Sequence, residues 1–195
     1  ITALQALTDV GGLEAGQSVL IMGASGGVGS YAVQIARARG ARVTGVASGG
    51  KADFVRSLGA DAVIDYTQQD VTESGQTFDL IVDTGGLTPV RKLRRILTRR
   101  GTLVIVGGEG GNRLTGGVER QGRALLMSAF VSQRLTTFIS PEDLASIERL
   151  VEMLADGRVV PAVDALVALE QVPDAMRDLE AGRVKGKVAV RPMSR

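Results

Sequence analysis

The stretch Gly23-Ala24-Ser25-Gly26-Gly27-Val28-Gly29 carries the chemistry of phosphate recognition. Small residues let a backbone approach a pyrophosphate closely, and free N–H groups at a helix start favour its negative charge. The flanks supply the context that such a loop needs. Val19-Leu20-Ile21-Met22 reads as a buried strand, and Tyr31-Ala32-Val33-Gln34-Ile35-Ala36 opens a helical pattern. Strand, glycine turn and helix start together predict a dinucleotide site.

A second chemical signal follows the next strand, Arg42 to Ala47. In many dinucleotide folds a carboxylate at this point holds the ribose hydroxyls. Here the strand runs into Ser48-Gly49-Gly50-Lys51, with no carboxylate in that run. A hydroxyl (Ser48), free backbone N–H groups and a cation (Lys51) suit a 2′-phosphate, which predicts NADP(H) rather than NAD(H). A polar turn with a solvated lysine is the plainer alternative. Asp83, inside Val-Asp-Thr-Gly-Gly, reads as a turn-maker and not as a base. Arg91, Lys92, Arg94, Arg95, Arg99 and Arg100 read as a solvated face, because no aromatic platform is interleaved for nucleic acid. A catalytic Tyr and Lys four residues apart is excluded: Ile35 follows Tyr31 at that spacing, and Asp70 follows Tyr66.

Composition narrows the class. The 195 residues are 44% hydrophobic and 23% charged, enough for a sizeable core. Net charge is +2, which is no polyanion-binding balance, so no nucleic-acid partner is expected. Cys and His are absent, which removes the usual donors for a zinc site within the chain, and no metal is expected. A signal peptide and an 18-residue apolar run are also missing, so the expectation is a cytoplasmic protein with no membrane partner.

The elements that must position the loop alternate between short apolar strands and helices. Strands are expected at Ser18–Met22, Arg42–Ala47, Ala62–Asp65, Phe78–Asp83, Thr102–Val106 and Leu125–Val131. Helices are expected over Thr2–Thr8, from the glycine loop to Arg39, over Lys51–Leu58 and over Val90–Leu97. Another should start at Ser140-Pro141, with Ser140 as cap, and run to Ala155. Gly107-Gly108-Glu109-Gly110-Gly111-Asn112 is expected to be a mobile loop. The alternation predicts an α/β fold, a Rossmann-type doubly wound parallel sheet whose ligand lies across the strand carboxyl ends. After Gly157 the pattern changes to extended segments, a helix over Val172–Glu180 and a strand at Gly186–Val190. The division expected is 1–157 for the dinucleotide domain and 158–195 for a C-terminal segment.

These stretches resemble the medium-chain dehydrogenase/reductases, in particular their zinc-free quinone oxidoreductase branch. The resemblance rests on Thr2-Ala3-Leu4-Gln5-Ala6-Leu7, Gly16-Gln17-Ser18-Val19-Leu20-Ile21 and the glycine loop. It continues through Asp53-Phe54-Val55-Arg56-Ser57-Leu58-Gly59-Ala60-Asp61, Val63-Ile64-Asp65-Tyr66 and the tail Leu179 to Val188. It implies an NADPH-dependent reduction of quinones or α,β-unsaturated carbonyls. It also implies a mostly absent β-barrel domain before Ile1, which the 158–195 segment rejoins. By the same resemblance Ala24, Ser25, Gly26, Gly27, Val28 and Gly29 hold the pyrophosphate. Ser48, Lys51 and Tyr66 meet the 2′-phosphate and adenine, and Thr84 and Gly85 line the adenosine. Val106, Gly107, Gly108, Phe130 and Ser132 approach the nicotinamide, with Thr2 touching it from the domain junction. No catalytic residue is expected in the chain. The resemblance further implies a homodimer through the sixth strand. Two other readings stay open: a zinc alcohol dehydrogenase with its ligands outside these residues, and a non-catalytic NADP(H)-binding protein.

Overall fold

The computed structural model describes residues 1–106, 128 and 131–191. Six parallel strands form one sheet: β1 (Ser18–Met22), β2 (Arg42–Ala47), β3 (Ala62–Asp65), β4 (Phe78–Asp83), β5 (Leu97–Ile105) and β6 (Arg134–Thr137). Their order is β3-β2-β1-β4-β5-β6, the doubly wound order of a Rossmann fold. All five pairings are parallel.

The central strands β1 and β4 are apolar through most of their length because both faces of the sheet are covered there. Val19 and Ile21 of β1 point into one core with Val33, Ile35 and Ala36 of α2 (Gly29–Ala38). Leu20 and Met22 point into the other, with Val90 and Leu93 of α4 (Val90–Arg95). Helix α1 (Thr2–Gln5), extended by a π-helical turn at Ala6–Val10, packs against α2. Helix α3 (Ala52–Ser57) follows β2.

Three boundaries differ from the sequence expectation. The sixth strand is Arg134–Thr137 and not Leu125–Val131. Leu135 is fully buried, and the β6 residues pair in register with Thr102–Ile105 of β5. The Gln133 amide ahead of β6 donates to the carbonyls of Arg94 at 3.2 Å and Thr98 at 3.3 Å. Val131 lies in a bend, and the other residues of that apolar run, apart from Ser128, fall outside the described residues. The second difference is at α5 (Leu144–Ala155), which starts at an Asp143 cap and not at Ser140. Asp143 accepts the Ser146 N–H at 2.8 Å, whereas the Ser140 hydroxyl is turned inward to Gln5 Oε1 at 2.6 Å. The third is that α4 stops at Arg95 and β5 starts at Leu97, not at Thr102, because Leu97 is drawn into β5 opposite Phe78.

The segment after Gly157 follows the expected sequence of elements: β7 (Val163–Val167), α6 (Val172–Glu180) and β8 (Lys187–Val190). β7 and β8 make their own parallel pair, separate from the six-stranded sheet. Val163 and Leu166 of β7 are 50% and 55% exposed. The segment is tied to the large sheet through side chains and loops. Gln34 of α2 both donates to and accepts from the Val160 backbone, at 3.0 and 2.8 Å.

Ser30 lies in the first turn of α2 and is fully buried, yet its Oγ has no hydrogen-bond partner among the described residues. An unpaired buried hydroxyl costs free energy that a methyl group does not. Ser30→Ala should therefore raise unfolding stability by about 1 kcal/mol, read as a higher urea midpoint with unchanged slope. A lower midpoint would mean that the hydroxyl has a partner in solution.

Candidate functional site

A cavity of about 840 Å³ opens at the carboxyl end of the sheet. That lies within the range of small-molecule and cofactor sites, about 300–1,000 Å³. One wall is the glycine loop between β1 and α2: Gly23, Ser25, Gly26, Gly27 and Val28. The opposite wall is the turn after β4, with Asp83, Thr84 and Gly85, and the floor reaches Tyr66 to Val71 after β3. Parallel strands put all these carboxyl ends on one edge, and the order reverses between β1 and β4, which is where such a crevice forms.

The loop is held tightly. The Ala24 N–H donates to Val46 O at 3.0 Å, which fixes it against β2, and the Ala24 side chain is fully buried. The Gly26 N–H donates to Gly23 O at 3.0 Å, closing the turn. A Cβ on Gly29 would overlap Gly23 O and stand 2.8 Å from Ala24 Cα, so the helix starts directly beneath the turn. A Cβ on Gly27 would stand 2.9 Å from Lys187 Nζ. The open backbone on the cavity side fits a pyrophosphate, which needs close approach to N–H groups at a helix start.

The β4 turn is built around Asp83. Its fully buried carboxylate accepts the N–H groups of Gly85 at 3.2 Å and Gly86 at 3.0 Å, the turn-making role expected of it. The Thr84 hydroxyl donates to Met22 O at 2.6 Å and braces the turn against β1.

The structure gathers Ser25, Gly26, Gly27, Val28, Tyr66, Thr84 and Gly85 around the cavity. Ala24 and Gly29 lie beneath it as supports. Val106 sits at the carboxyl edge, where its N–H donates to Asp83 O at 2.9 Å. Gly107, Gly108 and Phe130 lie outside the described residues, as does the 107–112 loop. Thr2 lies on α1, which packs against α2 and α5, and is not in the cavity wall.

Ser132 is misplaced by the sequence reading. Its hydroxyl donates to Arg99 O at 2.8 Å, at the amino half of β5 and so at the opposite edge of the sheet. The cause is the shifted sixth strand, which puts Phe138 at the carboxyl edge instead, with its N–H on Ile105 O at 2.9 Å.

Lys51 and Ser48 are not in the cavity wall either. The Lys51 ammonium donates to Val184 O at 2.6 Å, and its pKa is lowered, chiefly by burial. A carboxylate does reach this loop, although none lies in the run Ser48–Lys51 itself. The register sets Ala47 of β2 beside Asp65 of β3, and a Cβ on Gly49 would overlap Asp65 Oδ2. Hydrogen bonds from Thr67, and a weaker one from the Gly49 N–H, hold the Asp65 carboxyl below the ordinary range. The strand order 3-2-1 was the signal that could have revealed it.

Two charged features of the cavity escaped the sequence reading. Lys187, read only as part of the last strand and of the tail, lines the wall beside Gly27. Lys92 belongs to the arginine-rich face but is half-buried, and it pairs with Asp70 at 2.8 Å across the cavity's far end. The Lys92 hydrogen bond, helped by the hydroxyl and N–H of Thr72, pushes the Asp70 carboxyl down to about 2. The folded carboxyl titrates below its unfolded value of 3.8. The pair's contribution is therefore full above 3.8 and is lost as pH falls through about 2. Both side chains are more than a third exposed, so solvent screening limits that contribution to roughly 0.5 kcal/mol. Thermal melts of wild type and Asp70→Asn should differ by a constant amount near neutrality and converge toward pH 2; a gap that persists in acid would refute the assignment.

Among the described residues no helix is long and apolar enough to cross a membrane, and no group of three or more acidic side chains is placed to hold a metal. With no Cys or His in the sequence, the chain's residues do not fit zinc.

The zinc-binding dehydrogenase family profile matches residues 58–190. The mitochondrial NAD(P)H oxidoreductase RTN4IP1 of Mus musculus is 33% identical over 97% of this chain and 52% of its own length. The 2-methylene-furan-3-one reductase of Solanum lycopersicum is 30% identical over 93% of this chain and 42% of its own. Among solved structures, the quinone oxidoreductase from Coxiella burnetii superposes with a TM-score of 0.84 over 98% of this chain and 57% of that one, at 24% identity, a likeness of fold. The chain thus spans about half the length of the curated relatives it matches. The mitochondrial relative overturns the cytoplasmic expectation. That expectation rested on finding neither a signal peptide nor a long apolar run in these residues, which span about half of the relative's length and do not fix a cellular address.

Proposed function

The chain belongs to the zinc-binding dehydrogenase family, and from that premise we propose that it is the cofactor-binding part of an NADP(H)-dependent oxidoreductase reducing quinones or α,β-unsaturated carbonyls. The carrying observation is the glycine loop at the β1–α2 junction, open to a dinucleotide-sized cavity at the switch point of the sheet. The NAD(P)H and enone-reducing names of the relatives support the cofactor and the substrate class. The bound nicotinamide supplies the hydride, and the protein supplies position and electrostatics.

In this reading Ser25, Gly26, Gly27 and Val28 bind the pyrophosphate. Thr84 and Gly85 line the adenosine, and Tyr66, 63% exposed at the cavity, covers the adenine. Val106 faces the nicotinamide. Ser48 and Lys51 take the 2′-phosphate once Lys51 leaves Val184 O. Residues 1–157 form the dinucleotide domain, and 158–195 belong with a second domain. The exposed apolar residues of β7, Val163 and Leu166, support that division. The reading also includes a homodimer through the outer edge of β6, since unpaired strand edges invite pairing. Sedimentation that finds only monomer at high concentration removes the dimer.

Calorimetric titration tests the core of the proposal. NADPH should bind more tightly than NADH, and binding of neither sinks it. NADPH oxidation by the whole enzyme with a benzoquinone or an enone tests the substrate class. Alcohol oxidation in its place would favour the zinc alcohol dehydrogenase reading.

A further inference from the structure

A carboxylate braces the loop after β2 from the neighbouring strand. Parallel pairing sets Ala47 beside Asp65, and the Tyr66 N–H donates to Ala47 O at 3.2 Å, so the ends of β2 and β3 are joined. One carboxylate oxygen of Asp65, Oδ1, accepts the Thr67 N–H at 2.9 Å and the Thr67 hydroxyl at 2.8 Å. The other, Oδ2, fills the place of a Gly49 side chain: the three atoms nearest to a Cβ there all belong to this carboxyl group. The Gly49 N–H adds a weaker hydrogen bond to the carboxylate.

The run Ser48-Gly49-Gly50-Lys51 needs such a brace. Its two glycines are costly to order, and a Cβ on Gly50 would meet only open space among the described residues. Within the loop the Lys51 N–H donates to Ser48 O at 2.9 Å. Lys51 lies outside the cavity wall, so the tether from its ammonium to Val184 O must break before that ammonium reaches a phosphate. The contact of Gly49 with Asp65 survives this exchange. Asp65 is not in the cavity wall either, whereas Ala47, Tyr66 and Thr67 are, so it acts through the residues it holds.

We propose that Asp65 is a positioning residue for the cofactor's 2′-phosphate: it holds the Ser48–Lys51 loop in its binding shape and ties that loop to Tyr66. This rests on the cofactor reading above. A loop already ordered loses less freedom when the phosphate arrives, so the affinity gained is confined to ligands that carry that phosphate. The charge of the carboxylate is met by its donors on Thr67 and Gly49, which makes it a brace and not a ligand.

The test is calorimetric titration with 2′-AMP and NADPH, which carry the 2′-phosphate, and with NADH and ADP-ribose, which do not. In Asp65→Asn the amide oxygen still accepts from Thr67, but an NH2 group now faces the Gly49 N–H. Affinity for 2′-AMP and NADPH should fall roughly fivefold to tenfold, while NADH and ADP-ribose stay within about a factor of two and report an intact cavity. Gly49→Ala, whose methyl would displace the carboxylate, should give the same pattern. The two sites should not act additively: once Asp65→Ala has emptied the space, Gly49→Ala should cost nothing further. Unchanged or tighter binding of 2′-AMP by Asp65→Asn overturns the inference and leaves the cofactor reading standing. An equal loss on every probe also overturns it, since Asp65 would then support the fold as a whole, and so do additive losses in the double variant. Failure of wild type to bind any probe removes the cofactor reading and this inference together.

Discussion

Gly29→Ala should lower affinity for NADPH by on the order of a hundredfold or more and destabilise the fold by about 3 kcal/mol. The added methyl has nowhere to go. It would overlap Gly23 O and lie 2.8 Å from both Gly23 C and Ala24 Cα, all backbone atoms. Side chains can rotate away from such a contact, but this turn cannot. Gly26 is bonded to Gly23, Ser30 to Gly26 at 2.9 Å, and Ala24 to β2. The first turn of α2 must therefore move off the loop. That carries its N–H groups and its dipole away from the phosphate position. The loss should appear in calorimetry with NADPH, NADH and ADP-ribose alike. A dissociation constant within a factor of two of wild type would show that the turn relaxes and that the close approach is not needed for binding.

The second large effect lies away from the cavity. Gln5→Leu should cost about 3 kcal/mol of unfolding free energy, which for a chain of this size lowers the melting temperature by roughly 6–12 °C. Gln5 is buried on α1. Its amide donates to Pro141 O at 3.0 Å, to Ser146 Oγ at 3.1 Å and to the Asp143 carboxylate, and its carbonyl accepts from Ser140. One side chain thus ties Ser140, Pro141, Asp143 and Ser146, around the start of α5, to α1. Leucine would leave the half-buried Ser140 hydroxyl, the Pro141 carbonyl and part of the Asp143 carboxylate without this partner, and that penalty exceeds the gain from an extra apolar group. The nearby Arg149–Asp9 pair joins the same two helical segments at 2.8 and 3.0 Å, but it is exposed. Arg149→Ala should cost under 1 kcal/mol. Urea titrations of both variants make the comparison, and equal midpoints would contradict it.

The two variants also mark where the sequence was legible. Gly29 belongs to a local motif. Its strand, turn and helix are contiguous, so spacing alone announced the phosphate loop and the parallel sheet around it. Asp83 was read correctly as a turn-maker for the same reason, since its partners are two and three residues away. Gln5, by contrast, carried no signal, because its partners lie more than 130 residues away. Ser140 and Pro141 look like a helix start, and the hydroxyl would cap one if Gln5 did not take it. The apolar run Leu125–Val131 is a better strand by composition than Arg134-Leu135-Thr136-Thr137. Nevertheless Leu135 is the residue that fills the space beside β5.

By itself the sequence determined the glycine loop, the strand–helix alternation and thus the Rossmann order, the turn at Asp83 and the change of pattern after Gly157. Each of these is set by residues adjacent along the chain, through backbone conformation or hydrophobic period. Only the tertiary structure decided which charges stand around the cavity. It placed Lys187 over Gly27, turned Lys51 to Val184, set Asp65 beside Gly49 and paired Lys92 with Asp70. It also sent Ser132 to the far edge of the sheet. Strand register and the docking of the tail bring these groups together from distant points of the chain. A side chain's charge is written in its own residue, but its partner is chosen by the packing of the whole molecule.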